Sequence, residues 1–212
     1  MPSPLVQALE KISFWINNSN SDHAKTIREG YSNCRLKITD YLPQPGLERE
    51  MLELYAEEIN FQLSEEIYEL YQWHNGEFEI GDVSNPVFFV SFERGFDCYA
   101  KEFRKFPIFI GDDLYYFVEE STDNKKFSPI YQYDGRPFLR DPNHLKCLSY
   151  YAPSITDYMQ AVAKCIVIFD EISVTHSSNK YRDYQERREY LQEFSAIYEK
   201  HGVVTDTNKI WG

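Results

Sequence analysis

Four short runs of β-branched and aromatic residues in the middle of the chain restrict its fold more than any other feature. They span Val87 to Phe92, Phe106 to Ile110, Leu114 to Val118, and Ile130 to Tyr133, and Gly, Asp or Pro residues separate them. Because they follow one another with no long helical pattern between them, antiparallel pairing is favoured over parallel crossover units. The sequence therefore predicts a largely antiparallel or mixed central sheet.

Amphipathic helices are predicted before and after these strands, which makes the expected fold class α+β. Their predicted positions are a helix begun by Ser3 and Pro4, Glu48 to Asn60, Glu65 to His74, a helix begun by Pro153 and Ser154, and about Tyr181 to Lys200. Ser3, Ser64 and Ser154 are the expected N-caps of the first helix, the helix from Glu65 and the helix after Pro153. Glu65 and Glu66 are favourably placed against the positive end of the helix that they begin. Asn75 and Gly76 are expected to end that helix, because both tolerate left-handed backbone.

The apolar residues of these helices repeat at the spacing of one helical face. In the first helix the expected buried residues are Leu5, Leu9, Ile12 and Ile16, with Trp15 beside them. In the helix from Glu48 they are Leu47, Met51, Leu54 and Tyr55. The segment from Ala24 to Tyr41 has no clear periodicity, so no element is predicted there.

Length and charge limit the domain organisation and the class of partner. The 212 residues suit one main domain, residues 1–176, followed by a helical extension, residues 177–212. The extension is expected to pack on the domain, and its apolar stripe is equally compatible with a homodimer face; the stripe comprises Tyr184, Leu191, Phe194 and Tyr198. The net charge of -12 disfavours direct binding to nucleic acid or anionic lipid and favours a basic protein partner.

Targeting signals and cysteines point to the cytoplasm. The N-terminus contains neither a basic leader nor a continuous apolar core, and no later run approaches the ~20 apolar residues that span a bilayer. The cysteines are widely spaced in a chain with ample apolar material, so disulfides are not required; they are Cys34, Cys98, Cys147 and Cys165. These features predict a cytoplasmic protein without membrane contact.

An acidic segment between Gly46 and Asp82 carries most of the negative excess. Its acids, against the single base Arg49, are Glu48, Glu50, Glu53, Glu57, Glu58, Glu65, Glu66, Glu69, Glu77, Glu79 and Asp82. A solvated helix face is the usual meaning of such a run. The functional alternative is an anionic surface that occupies the basic cleft of a nuclease, where complementary charge speeds association.

The residues predicted to contact a partner combine this charge with aromatic side chains. They are Glu48, Glu53, Glu57, Glu65, Glu69, Trp73, Glu77, Phe78, Asp112, Asp113 and Tyr116. Because charges at the rim of an interface contribute little individually, tight binding also needs desolvated aromatic anchors. The candidate anchors are Tyr68, Trp73, Phe78 and Tyr116, and ordinary core packing is the alternative for each.

Catalytic and metal-binding motifs are weak by comparison. His74 and Asn75 with Cys98 allow a thiol-hydrolase hypothesis, because a cysteine nucleophile needs a base and an orienting amide. Roles at a helix end explain His74 and Asn75 equally well.

No calcium site is predicted from acids that lack EF-hand spacing, namely Asp112, Asp113, Glu119, Glu120 and Asp123. The sequence has no zinc-ligand spacing and no glycine-rich phosphate loop, so no metal or other cofactor is predicted.

The order of motifs from Leu42 to Gly76 resembles the core signature of the SUKH superfamily, the Smi/Knr-like proteins. A Leu-Pro turn, an acidic helix, the step from Phe61 to Ser64, a second helix and a final Asn-Gly follow in that family's order. Later stretches resemble its strands and closing helix, so the resemblance covers Leu42 to Val167; they are FPIFIGDDLYYFVEE, PIYQYDG and APSITDYMQAV. Trp15 resembles a tryptophan of the family's N-terminal helix. The departures are Ser64 in place of the usual proline, and Asp112 with Asp113 in place of a glycine-rich turn.

This resemblance implies an α+β fold and a function in protein binding. Bacterial members are immunity proteins that neutralise a cognate toxin, often a nuclease, and fungal relatives are regulatory interaction scaffolds. No catalytic residues come with the family. We therefore expect a non-catalytic immunity protein, with a regulatory scaffold as the first alternative and a hydrolase using Cys98 and His74 as the second.

Overall fold

The computed structural model of the protein combines helices with an antiparallel sheet, which confirms the predicted α+β class. It describes residues 1–29, 43–80, 87–96, 105–111, 114–121, 126–134, 149–175 and 183–205. In these ranges the helices are α1 Pro4–Asn18, α2 Asp22–Glu29, α3 Arg49–Glu58, α4 Glu65–Trp73, α5 Phe92–Gly95, α6 Ile155–Thr175 and α7 Asp183–Lys200. The strands are β1 Phe78–Ile80, β2 Val87–Phe89, β3 Lys105–Ile110, β4 Leu114–Glu119, β5 Ile130–Asp134 and β6 Ser149–Ala152.

The sheet is a meander in which strands adjacent in sequence pair with one another, in the order β1-β2-β3-β4-β5-β6. All the pairings between the described strands are antiparallel. Phe89 lies opposite both Phe78 and Phe109, and Phe109 lies opposite Tyr116. Because directly opposed residues share a face of the sheet, these four rings form one aromatic surface.

Helices α1, α4 and α6 pack together over this aromatic surface. The predicted apolar face of α1 is buried. One side of α6 is buried as well, through Ile155, Tyr158, Met159, Val162 and Ile166, which the sequence pattern places on one helical face. Tyr71 of α4 is buried against the rings of Phe89 and Phe106, and its hydroxyl donates to the carbonyl oxygen of Val90 at 3.1 Å. The acidic helix α4 is therefore held on the sheet through its apolar side.

Two of the three predicted serine caps are confirmed. The amide of Val6 donates to Ser3 Oγ at 3.1 Å, and the amide of Asp157 donates to Ser154 Oγ at 2.9 Å. Ser64 stands at the N-cap position of α4, but its side chain makes no capping hydrogen bond. Ser64 Oγ accepts from the hydroxyl of Ser128 instead, so a hydrogen bond to a residue distant in sequence replaces the local capping bond.

Some elements differ from the sequence-based expectation. Helix α2 was not predicted, and tertiary packing supports it because Ala24 and Ile27 are buried. Strands β1 and β6 were also missed, since runs of three and four residues give little periodic signal. The strand predicted to reach Phe92 ends at Phe89, and Phe92 begins the short helix α5.

The C-terminal helix α7 lies against α6. Phe194 and Tyr198 are buried, and the ring of Tyr198 stacks on that of Tyr158 with centroids 6.1 Å apart. Beyond the helix, the amide of Val204 donates to the carbonyl oxygen of Tyr151 in β6 at 2.7 Å. Phe194, Tyr198 and Val203 thus contribute to the core of the same chain, which favours packing over a dimer face for this part of the extension.

The described helices include none that is long and apolar enough to cross a membrane. Of the four cysteines, Cys165 is buried within α6. The other three, Cys34, Cys98 and Cys147, lie outside the described residues.

Candidate protein-binding surface

The glutamates of the acidic segment lie on α3, on α4 and in the turn that follows. The exposed ones are Glu48, Glu50, Glu53, Glu57, Glu58 and Glu65. Glu69 and Glu77 are partly buried, and Glu66 is fully buried. The side chain of Glu79 and the whole of Asp82 lie outside the described part of the chain. The segment is therefore not one uniform anionic face.

Arg49 neutralises part of this charge. Its guanidinium donates to both oxygens of Glu65 at 2.8 and 3.2 Å and to Glu53 Oε1 at 3.0 Å, and it lies 4.1 Å from the centre of the Tyr68 ring. The hydrogen bond from Arg49 holds the pKa of Glu65 below its usual value. Glu53 and Glu65, both predicted to meet a partner, are thus engaged within the chain, although exposed ion pairs of this kind exchange partners at small energetic cost.

Glu69 and Glu77 take part in contacts within the fold. The hydroxyl of Ser3 donates to Glu69 Oε2 at 2.7 Å, which joins the start of α1 to α4. The amide of Ser91 donates to Glu77 Oε1 at 3.2 Å, and Arg94 Nη1 lies 3.8 Å from Glu77 Oε2. Among the predicted acids that the structure describes, Glu48 and Glu57 remain exposed without a cationic partner.

Glu66 differs from the other acids of the segment because it is only 3% exposed. Its Oε1 accepts from the amide of Thr156 at 2.8 Å, and its Oε2 accepts from the amides of Ser128 at 2.6 Å and Ile155 at 3.3 Å. Ile155 and Thr156 open α6, where backbone amides have no partner inside the helix and the dipole is positive. The carboxylate expected at the start of α4 therefore acts on α6 and joins α4, the approach to β5 and α6.

The burial of Glu66 has a consequence for the pH dependence of stability. Burial raises the pKa of Glu66, and the hydrogen bonds from Thr156, Ser128 and Ile155 oppose this shift only in part. An acid whose folded pKa lies above its unfolded value contributes stability fully below the unfolded pKa and loses it as pH rises through the folded pKa. Between the unfolded and the folded pKa of Glu66, we expect the free energy of unfolding to decline with rising pH more steeply in the wild type than in Glu66→Gln. Urea unfolding at a series of pH values measures this, and identical slopes would contradict it.

The aromatic anchors predicted for a partner are mostly core residues. Phe78 and Tyr116 are each 1% exposed, so their prediction as surface anchors is wrong. The Tyr116 ring meets that of Tyr151 at a centroid distance of 4.7 Å. Trp73 is partly buried, its ring lies 5.7 Å from that of Phe78, and its indole N–H donates to Ser13 Oγ at 2.6 Å. These side chains are already desolvated and have little apolar area left to offer a partner.

His74 and Asn75, the base and the orienting amide of the thiol-hydrolase hypothesis, hold local structure. His74 Nδ1 lies 3.0 Å from the carbonyl oxygen of Gln44, and burial lowers the pKa of His74. Asn75 was expected to cap the end of α4, which is wrong, because His74 is the C-cap and Asn75 does not take left-handed backbone. Asn75 Oδ1 instead accepts from the amide of Phe92 at the start of α5, at 2.8 Å. Its Nδ2 donates to Glu93 Oε2 at 2.8 Å. Cys98 lies outside the described residues.

Of the remaining acids considered for a partner or for calcium, the structure describes Glu119 and Glu120, at the end of β4. Asp112, Asp113 and Asp123 are outside the described residues. Glu119 pairs with Lys105, and Glu120 Oε1 accepts from the amide of Gln62 at 3.1 Å. Within the ranges that the structure covers, no group of three or more His, Cys, Asp or Glu is arranged to hold a metal ion.

Helix α3 exposes Met51 and Leu54, two of the four residues predicted to be buried, while Leu47 and Tyr55 pack against the core as predicted. Met51 and Leu54 are 43% and 61% exposed, whereas Leu52 and Ala56 are buried. Tyr55 packs on α5 and on the residue after it, with its ring 5.7 Å from that of Phe92 and 5.3 Å from that of Phe96. We define the outer face of α3 as Glu50, Met51, Leu54, Glu57 and Glu58. Sequence reasoning missed it, and the spacing of Leu52 and Ala56 by four residues was the signal that could have indicated the buried side.

Comparison of the sequence with models of known protein families gives no match, and comparison with curated proteins gives none either. The resemblance to the SUKH superfamily stays a prediction carried by the sequence motifs.

Proposed function

We propose that this protein is a non-catalytic immunity protein that binds and neutralises a basic protein toxin. The supporting observation is the outer face of α3, where Glu50, Glu57 and Glu58 are exposed and none of the described cations pairs with them. Arg49, the one base of the acidic segment, is engaged by Glu53 and Glu65 on the same helix pair. In a chain of net charge -12 this face attracts a cationic macromolecule.

To neutralise a toxin by binding, an immunity protein needs only to cover the active cleft of that toxin. A nuclease must present positive charge to the phosphates of its substrate, and an acidic protein surface competes for that charge. Complementary charge raises the association rate, while apolar contacts at the centre of the interface slow dissociation. This function needs no catalytic group on the immunity protein, which agrees with the structural roles of His74 and Asn75.

Production of this protein together with the toxin encoded by an adjacent gene is expected to restore growth to cells that the toxin alone kills. The purified pair is expected to elute as one complex, with an association rate that falls as NaCl is raised, because salt screens the attraction. Growth curves and stopped-flow association measure the two effects. Glu10→Lys alters an exposed glutamate on α1, outside the acidic segment, and serves as the control. It is expected to leave growth protection and association unchanged.

Two results would contradict the proposal. Cells that die equally with and without this protein would exclude immunity against that toxin. An adjacent set of cell-wall or regulatory genes with no toxin would favour a regulatory scaffold of the Smi/Knr type instead.

A further inference from the structure

Met51 and Leu54 are exposed side by side on the outer face of α3, although the sequence pattern predicted that both are buried. They are three residues apart, so they adjoin on the helix surface. A single exposed hydrophobic residue is ordinary in a folded protein. Two adjacent ones on a helix that also carries four glutamates form a small apolar centre with a charged border.

The border of this apolar centre consists of glutamates. Glu50 lies four residues before Leu54, and Glu57 and Glu58 lie three and four residues after it, so all three adjoin Leu54 on the helix surface. Arg49 does not offset them, because its guanidinium points to Glu53 and Glu65. An apolar centre with an anionic rim matches the general anatomy of a protein interface.

The charge of the rim decides which occupant fits. A second copy of this chain would place glutamates opposite glutamates, and like charges brought together in an interface cost several kcal/mol. An extended strand has no backbone partners here, because strand addition requires a free sheet edge and α3 is a helix. A helix whose apolar ridge is bordered by Lys or Arg satisfies both the apolar centre and the rim.

We propose that the outer face of α3 is a docking surface for a basic amphipathic helix of the partner protein. This inference rests on the proposed binding function and specifies its surface and its ligand chemistry. Leu54 and Met51 pack against the apolar ridge of the partner helix, and Glu50, Glu57 and Glu58 pair with the cations beside that ridge. The polar pairs set orientation and association rate, and the two apolar side chains set the lifetime of the complex.

Synthetic peptides test this surface without knowledge of the natural partner. The probe is a fluorescein-labelled, amidated peptide of ~16 residues, with leucines at every third or fourth position and lysines beside them; a peptide of the same composition in scrambled order is the reference. In fluorescence anisotropy, the patterned peptide is expected to bind the full chain at least about tenfold more tightly than the scrambled one. Met51→Ser with Leu54→Ser is expected to weaken patterned binding by about tenfold or more.

Matched variants separate this surface from general charge attraction. Val167→Ser, on an equally exposed residue of α6, is expected to leave the affinity unchanged. The triple variant Glu50→Lys, Glu57→Lys, Glu58→Lys is expected to lose the lysine peptide and to bind a peptide in which glutamate replaces each lysine. Circular dichroism checks that every variant is folded.

Equal binding of patterned and scrambled peptides, or full binding by the Met51→Ser, Leu54→Ser variant, would overturn the inference. Growth protection by the Met51→Ser, Leu54→Ser variant at the wild-type level would likewise place the toxin on another surface, while the proposed immunity function would stand. Peptide binding without growth protection would retain the surface and reject immunity. The two failures are therefore distinguishable.

Discussion

Replacing Glu66 by alanine is expected to lower the free energy of unfolding by about 3 kcal/mol or more, because a buried donor left without an acceptor costs roughly 1–3 kcal/mol. Three backbone amides, those of Ser128, Ile155 and Thr156, lose the same carboxylate at once. The N-terminus of α6 also loses a favourable negative charge. Urea unfolding followed by circular dichroism measures the loss.

Two further variants interpret this result. Glu66→Gln keeps the shape of the side chain and one acceptor oxygen, but it turns an NH₂ group toward backbone donors. Its loss of unfolding free energy is therefore expected to be smaller than that of Glu66→Ala. Glu58→Ala removes an exposed carboxylate of the same acidic segment and is expected to change stability by no more than about 0.5 kcal/mol. If Glu66→Ala were as stable as Glu58→Ala, the carboxylate would not hold α4, β5 and α6 together.

Gly76→Ala is expected to destabilise the protein by about 3 kcal/mol, from the combined cost of left-handed backbone and overpacking. Gly76 has a φ of +69°, and a Cβ atom there would lie 2.5 Å from the carbonyl carbon of Val90 and 2.6 Å from the amide nitrogen of Ser91. That backbone has little freedom to move, since the amide of Val90 donates to the carbonyl oxygen of Ile108 at 3.0 Å. Thermal and urea unfolding both report the effect.

Gly202→Ala is the matched control for this variant. Gly202 has a φ of +70°, so it carries the same left-handed penalty, but its Cβ would lie 2.8 Å from Cγ of Pro153, in a side-chain ring and not in backbone. The loss for Gly76→Ala is therefore expected to exceed that for Gly202→Ala by about 1–2 kcal/mol, the cost of overpacking against backbone. Equal losses of stability would show that the backbone of Val90 and Ser91 yields to a Cβ at residue 76 without a large cost.

Features with a local cause could be predicted from the sequence. Ser3 and Ser154 cap their helices as expected, because each bonds an amide three residues away. The longer strands β3, β4 and β5 lie where their β-branched and aromatic runs stand. Gly76 takes the predicted left-handed conformation at the end of the helical pair.

Features that depend on distant partners could not be predicted in this way. Ser64 and Asn75 were predicted to cap the helix ends next to them. In the structure, Ser64 accepts a hydrogen bond from Ser128 and Asn75 accepts one from the amide of Phe92. Local hydrogen bonds and tertiary ones compete for the same side chains, and periodicity contains no information about the tertiary ones. Phe78 and Tyr116 were ambiguous for a related reason, since aromatic residues serve cores and interfaces equally.

The sequence by itself determined the α+β class, the antiparallel sheet and the concentration of negative charge before Gly76, because these follow from residue type and local spacing. Only the tertiary structure decided which glutamates face solvent and which side of α3 is buried. Glu66 and Glu58 are alike as residues, yet one is buried at the N-terminus of α6 and the other is exposed beside Leu54. The reason is physical: the free energy of a carboxylate or of an apolar side chain depends on its surroundings, which distant parts of the chain provide.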